Sequence, residues 1–292
     1  MRATNTRFDL TPSLGAASRV RREIARLFGA PPARRIILAP GMLSALRQLF
    51  SALDIEHLLL TTDEYYAARH FPELRVQTVP MASLLARVKA TNPGAVIASL
   101  VSFHGKPLPV GDLFAAIRRD MGARAPLLVA DYTHAGAIGF PPVADLNADV
   151  VGGDPEKWLM PPLQSSRLAF LWTKSPGLFR TVARTFSPLF LAVEGRTDAR
   201  SSRWIDPEEM HAMAAWLVDA RLTRRALVDR HRANLAMRGR IAAQLGIDAE
   251  GPASVLWTDR KVPALLAARL ARQGLLWRSD TGRTRILCRT DR

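Results

Sequence analysis

The 292-residue sequence has a single cysteine, Cys288, which excludes a disulfide framework and any cysteine-built zinc site. It has no apolar run of the roughly 18 to 20 residues that a bilayer span needs. Residues 1–14 hold no apolar signal core, so export is not expected and a soluble cytoplasmic protein is. No internal repeat and no low-complexity segment is present. Lysine is scarce: of 41 basic residues only Lys89, Lys106, Lys157, Lys174 and Lys261 are lysines, and the rest are arginines.

What is present argues for a folded chain. Apolar residues make up 48% and charged residues 23%, enough to bury a sizeable core and to exclude wholesale disorder. The formal charge of +15 raises nucleic-acid binding as one function class. The arginines, however, are scattered and form no stripe interleaved with aromatics. A compositional preference for Arg and Ala accounts for them better than a phosphate-binding surface does.

Hydrophobic patterning divides the chain into short strands and helices. Strand-length apolar runs occupy 35–39, 58–62, 75–79, 95–101, 126–130, 148–151 and 168–172. Helical spacing occupies 16–28, 42–53, 81–90 and 110–121. This alternation predicts an α/β fold with a mostly parallel seven-stranded sheet between helices. After Gly195 the texture changes. A long helix is expected within 208–245, then strands at 253–258 and 284–288 around a helix at 262–272. The predicted organisation is a large α/β domain over 1–205, then a linking helix and a small C-terminal α+β domain over 206–292.

In parallel sheets the ligand site lies at the carboxyl ends of the strands. Four such ends carry polar groups. Pro40-Gly41-Met42 opens a helix, as a simple turn or as an anion site on free N–H groups. Ser102 follows the run AVIASLV and decorates a turn. Asp131 ends PLLVA, with His134 three residues on. A carboxylate there is a helix cap or the partner of a protonated ligand nitrogen, because it is costly to bury alone. Lys157, in GGDPEKWL, follows ADVV. It is a solvated lysine or a partly buried one able to form a Schiff base.

The order Gly41, Tyr65, Ser102, Asp131, His134, Lys157 resembles the class V aminotransferases, pyridoxal-phosphate enzymes of fold type I. The stretches VIASLVSFHGKPLPVGDLF, LLVADYTHAGAIGF and ADVVGGDPEKWL carry the likeness, which extends more loosely over most of the chain. The Lys-Trp-Leu segment is similar to the isopenicillin N epimerase-like and sulfoxide lyase-like branch.

The resemblance implies a role for each residue. Lys157 would be the aldimine lysine that also abstracts the Cα proton. Asp131 would pair with the pyridinium nitrogen, so that the ring serves as an electron sink. His134 and Ser102 would sit at the phenolic edge, and Tyr65 would stack on the ring. Gly41, Met42 and Ser44 would serve the phosphate, joined by Thr197 reaching across to a second subunit. Arg285 would grip the substrate carboxylate through its fork. A homodimer with shared active sites and an amino-acid or amine substrate follow from the same resemblance, as do transamination and C–S or β-elimination as reaction types.

Three positions depart from the family pattern. Leu43 stands where a hydroxyl residue is usual, with Ser44 next to it. Asp154 and Glu156 bring acid near a phosphate, which repels it unless they turn away or pair with arginine. An alternative is therefore a remodelled relative with a weakened phosphate site, acting as a binding or partner subunit. Desulfuration of cysteine is not expected, because Cys288 lies beside Arg285 in an apparent strand and not on a loop. No metal site is expected.

Overall fold

The computed structural model describes residues 11–39, 41–62, 64–102, 106–135, 142–154, 168–185, 223–249, 255–272, 276–278 and 284–288. Helix α1 (Thr11–Phe28) buries Ala16, Val20, Ile24 and Leu27, which repeat at helical spacing along one face. It begins five residues earlier than the apolar spacing indicates, because its first turn carries no apolar stripe. Then follow β1 (Ile36–Ala39), α2 (Met42–Ala52), β2 (His57–Thr61), β3 (Arg75–Val79), α3 (Leu84–Thr91), β4 (Ala95–Ser99), α4 (Val110–Met121), β5 (Leu127–Asp131), β6 (Val150–Gly153), β7 (Ala169–Thr173) and α5 (Pro176–Thr185).

These strands form one seven-stranded sheet in the order β1-β7-β6-β5-β4-β2-β3. From β6 through β5, β4 and β2 to β3 the pairing is parallel, and β7 runs antiparallel to both of its neighbours. The predicted mostly parallel sheet is therefore present. The expected strand at 95–101 stops at Ser99, and Val101 only bridges to Pro107.

Strand β4 is buried along its whole length, the signature of a sheet covered on both faces. Side chains alternate between the two faces. Val96, Ala98, Leu128 and Ala130 join the core under α1 and α4, while Ala95, Ile97, Val129 and Val150 join the core under α2. Carried two residues further, the same alternation puts Ser99, Asp131 and Gly152 on the α2 face. They are also in register, Ser99 opposite Asp131 and Asp131 opposite Gly152. Three adjacent strand ends thus present a hydroxyl, a carboxylate and a bare backbone side by side. A Cβ at Gly152 would collide with the Met42 side chain and lie 2.6 Å from Leu171 Cδ2, so a side chain there would force both to repack.

The rest of the described chain contains α6 (Arg224–Leu245), β8 (Val255–Thr258), α7 (Ala264–Arg272), β9 (Leu276–Arg278) and β10 (Thr284–Leu287). Helix α6 starts at a side-chain cap, Ala226 N–H donating to Thr223 Oγ at 3.0 Å. The expected helix within 208–245 is therefore described only from Arg224, and the proposed boundary at 205/206 lies outside the described residues. Strands β8, β10 and β9 form a second, antiparallel sheet. Its β9, only three residues long, has no pattern to betray it in the sequence. Leu227, in the first turn of α6, belongs to the core under α1.

Candidate active site

Asp131 is the centre of the polar edge. It is 5% exposed and is held from several sides. Thr133 N–H donates to Oδ1 at 2.7 Å, and Tyr66 O–H donates to Oδ2 at 3.0 Å. Ser99 faces it from the neighbouring strand, in register. Burial pushes its pKa up, and these donors pull it back. A carboxylate has about four lone-pair sites in two oxygens, so a ligand N–H can still be accommodated.

Glu64 is a site residue that the sequence reading does not include. It is 8% exposed and reaches the end of β4. Its Oε1 accepts from Ser99 N–H at 2.6 Å and from Thr61 O–H at 3.1 Å, and its Oε2 touches the Ser99 hydroxyl. Burial, reinforced by the negative charge of Asp131, pushes Glu64 up to about 8 against the pull of those donors. Tyr66 is a second such residue. Its phenol is pushed well above its ordinary range, by burial first and then by Asp131 and Asp154, so it stays a neutral donor. The one sequence signal for Glu64 is position, an acid just beyond the carboxyl end of an apolar strand.

Tyr65 differs from its neighbours in being 54% exposed. Its ring stacks on His70 with centroids 5.7 Å apart and 19° between planes, and meets Tyr66 edge-on at 5.6 Å. Ala67 N–H donates to His70 Nδ1 at 3.1 Å, which requires that nitrogen to be unprotonated. Burial, then Arg69 and Arg47, lowers His70 accordingly. An exposed ring held flat by a neutral imidazole is a ready stacking surface.

The N-terminus of α2 departs from expectation. Gly41, at φ 105°, makes the sharp entry that only glycine enters easily. Its N–H is turned back onto Ala39 O at 2.9 Å. Met42 N–H donates to the Asp154 carboxylate at 3.0 Å. Asp154 N–H in turn donates to Thr133 Oγ at 3.3 Å, tying the end of β6 to the turn after Asp131. The two amides expected to face a phosphate are thus committed within the protein. The N–H groups of Leu43 and Ser44, which a first helical turn leaves without intrahelical partners, remain at that end.

Ser102 is 1% exposed and closes a turn, its N–H donating to Lys106 O at 2.7 Å and its Oγ accepting from Lys106 N–H at 3.0 Å. His134 is half-buried in the turn that follows Asp131. Lys157, Glu156 and Thr197 lie outside the described residues, as does the side chain of Arg285, whose backbone in β10 pairs with Trp257 and Trp277. Cys288 is buried, and burial pushes its thiol up to about 12, the reverse of what a nucleophile needs. Among the described residues no cluster of three or more His, Cys, Asp or Glu could hold a metal, and no helix is long and apolar enough to cross a membrane.

No protein-family profile matches the chain, and no curated protein matches it by sequence. Solved structures match it by shape. Ureidoglycine–glyoxylate aminotransferase from Bacillus subtilis aligns with a TM-score of 0.65 at 15% identity, over 96% of this chain and 80% of that one. A C-DES lysine-to-alanine mutant with glycine covalently linked to the pyridoxal-phosphate cofactor aligns at 0.66 and 16% identity, over 98% and 84%. The chain has fold type I of the pyridoxal-phosphate-dependent enzymes. Cystathionine γ-synthase from Xanthomonas oryzae pv. oryzae, in complex with aminoacrylate and cysteine, aligns at 0.62 and 15% identity, over 95% and 73%. In a fold type I chain the polar edge lies at the carboxyl ends of β4, β5 and β6, where open α/β sheets bind their ligands.

Proposed function

We propose that the protein is a pyridoxal-phosphate-dependent enzyme acting on an amino acid or amine, as an aminotransferase or a C–S or β-eliminating lyase. The observation that carries the reading is Asp131. It is a buried carboxylate fixed at the end of a central strand of a type I sheet, with neutral donors on both oxygens and an exposed aromatic ring on the loop of its Tyr66 donor. That donor set suits the pyridine end of the cofactor. When bound, the cofactor supplies an electron sink for the substrate's Cα.

The chain's own residues do the rest. Asp131 holds a proton on the ring nitrogen. Tyr65 covers a ring face. Lys157 anchors the group and receives the Cα proton. His134 and Ser102 serve the phenolic edge, and Arg285 orients the substrate carboxylate. The Leu43 and Ser44 amides, the Ser44 hydroxyl and Thr197 of a second subunit receive the phosphate, in a cytoplasmic homodimer of shared sites.

Among the described residues Asp154 opposes this assignment, because it brings a negative charge to the helix end where a phosphate would sit. Asp154→Asn is expected to tighten pyridoxal phosphate binding roughly tenfold, since asparagine caps a helix about as well as aspartate does. Fluorescence titration measures this. An unchanged affinity would mean that the carboxylate does not approach the phosphate.

The reaction class is tested by incubating the cofactor-loaded protein with a panel of amino acids. A 2-oxo acid formed only with an amino acceptor identifies transamination, and pyruvate or a sulfur product formed without one identifies elimination. A loaded protein that gives no spectral change with any amino acid or amine counts against catalysis. It favours the remodelled binding subunit that Glu156 and Leu43 suggest.

A further inference from the structure

The loop after β2 carries Tyr65 between two anchored neighbours. Glu64 and Tyr66 are buried, while Tyr65 is exposed. Each buried neighbour is hydrogen-bonded to the end of a different central strand. Glu64 reaches β4, where its Oε1 accepts from Ser99 N–H at 2.6 Å and its Oε2 accepts from the Ser99 hydroxyl. Oε1 also accepts from Thr61 O–H at 3.1 Å, and Glu64 N–H donates to Thr61 O at 3.3 Å, which holds the end of β2 as well. Tyr66 reaches β5, where its O–H donates to Asp131 Oδ2 at 3.0 Å.

With the residues on either side turned in to the sheet, Tyr65 between them is turned out. Its ring lies on His70, which is itself fixed: Arg47 Nε, on α2, donates to the His70 carbonyl at 2.8 Å, and Ala67 N–H donates to His70 Nδ1 at 3.1 Å. The two anchors differ in what they touch. Tyr66 holds Asp131 directly, so its removal would disturb the carboxylate as well as the loop. Glu64 holds strand ends, and its three side-chain hydrogen bonds make a firm tether. Releasing it would leave Ser99 N–H, at a buried position, without that acceptor.

We propose that Glu64 is the positioning residue for Tyr65: by tying the loop to the ends of β4 and β2, it holds the Tyr65 ring in the orientation that stacks on a flat ligand ring. Glu64 thus acts through Tyr65. The inference rests on the reading of Tyr65 as the cover of a cofactor ring face, and its test separates the two.

The orientation of Tyr65 is read by NMR on the full-length apo protein, from the shift that its ring current imposes on the carbon-bound protons of His70, with Tyr65→Ala as the zero. Glu64→Ala is expected to remove most of that shift. Glu64→Gln is expected to keep it, because the amide oxygen accepts from Ser99 N–H and Thr61 O–H and the Ser99 hydroxyl can accept from the amide nitrogen. Glu64→Ala and Tyr65→Ala are each expected to weaken pyridoxal phosphate binding about tenfold, the size of one aromatic stack. Glu64→Gln is expected to stay within about threefold of wild type, and the double variant to bind no more weakly than Tyr65→Ala alone. An unchanged His70 shift in Glu64→Ala would overturn the proposal. So would losses that add in the double variant, because Glu64 would then act on the site apart from Tyr65. If Glu64→Ala fails to fold, Glu64→Asp, whose carboxylate stops one methylene short of Ser99, is read in its place with the same expectations. A His70 shift that depends on Glu64 in a protein that does not bind pyridoxal phosphate leaves the positioning standing and defeats the cofactor reading. Binding with an unchanged shift does the reverse.

Discussion

Replacing Asp131 with asparagine is expected to weaken pyridoxal phosphate binding about a hundredfold. A buried charge pair loses roughly 2 to 5 kcal/mol when one partner is removed, and a hundredfold change lies within that range. Asparagine keeps the shape of the side chain and can donate an N–H to an unprotonated ring nitrogen, so some affinity survives. It cannot hold a proton on that nitrogen, so turnover of the variant is expected to fall further than its bound fraction. The apo protein is expected to melt close to the wild type, because removing a carboxylate that burial already disfavours offsets the loss of one of the two acceptors that Thr133 N–H and Tyr66 O–H use. Cofactor titration, single-turnover kinetics and apo melting on one preparation check all three. Affinity within threefold of wild type would remove Asp131 from the site.

The second large effect is on stability, and Glu64 sets it. In the folded chain its carboxyl titrates at about 8, against an ordinary value of 4.5. Between those values the folded protein keeps a proton that the unfolded chain releases. The slope of unfolding free energy against pH is therefore negative in that window, and stability falls as pH rises. The contribution is fully present below pH 4.5 and is lost by about pH 8. Its full size is on the order of 5 kcal/mol, because each tenfold change in proton affinity is worth about 1.4 kcal/mol. Asp131, also raised by burial, contributes a slope of the same sign. Glu64→Gln keeps the acceptor for Ser99 and Thr61 and a donor towards Ser99 Oγ, but cannot ionise. Urea unfolding of the apo protein at several pH values is expected to give a flatter profile for the variant and a crossing to greater stability than wild type near pH 8. Parallel profiles would mean that Glu64 titrates normally.

The sequence displays what depends on near neighbours in the chain. Each of the seven strands of the large sheet lies within or next to a short apolar run, and Asp131 is conspicuous because it ends such a run. The burial of β4 on both faces is written in AVIAS, where no polar residue interrupts before the strand end. Tertiary relations are a different matter. Glu64 meets Ser99, which lies 35 residues on, and Asp154 meets Met42 across 112 residues. No local pattern encodes either contact, so the sequence does not show that Asp154 accepts from the first amide of α2. Gly152 reads as one of two adjacent glycines at a strand end. Only the packing of Met42 and Leu171 against β6 shows why a side chain is excluded there. Ser102, legible as a polar group after a strand, is placed by the fold in a turn with Lys106.

The central claim is that the Asp131 site binds pyridoxal phosphate with Lys157 as its anchor. It is tested most directly by incubating the apo protein with pyridoxal phosphate, reducing with borohydride and mapping the modified peptide by mass spectrometry. Stoichiometric modification of Lys157, abolished by Lys157→Ala, is the result predicted. A protein that stays colourless and unmodified, or one labelled indiscriminately at Lys89, Lys106, Lys174 and Lys261, would contradict it.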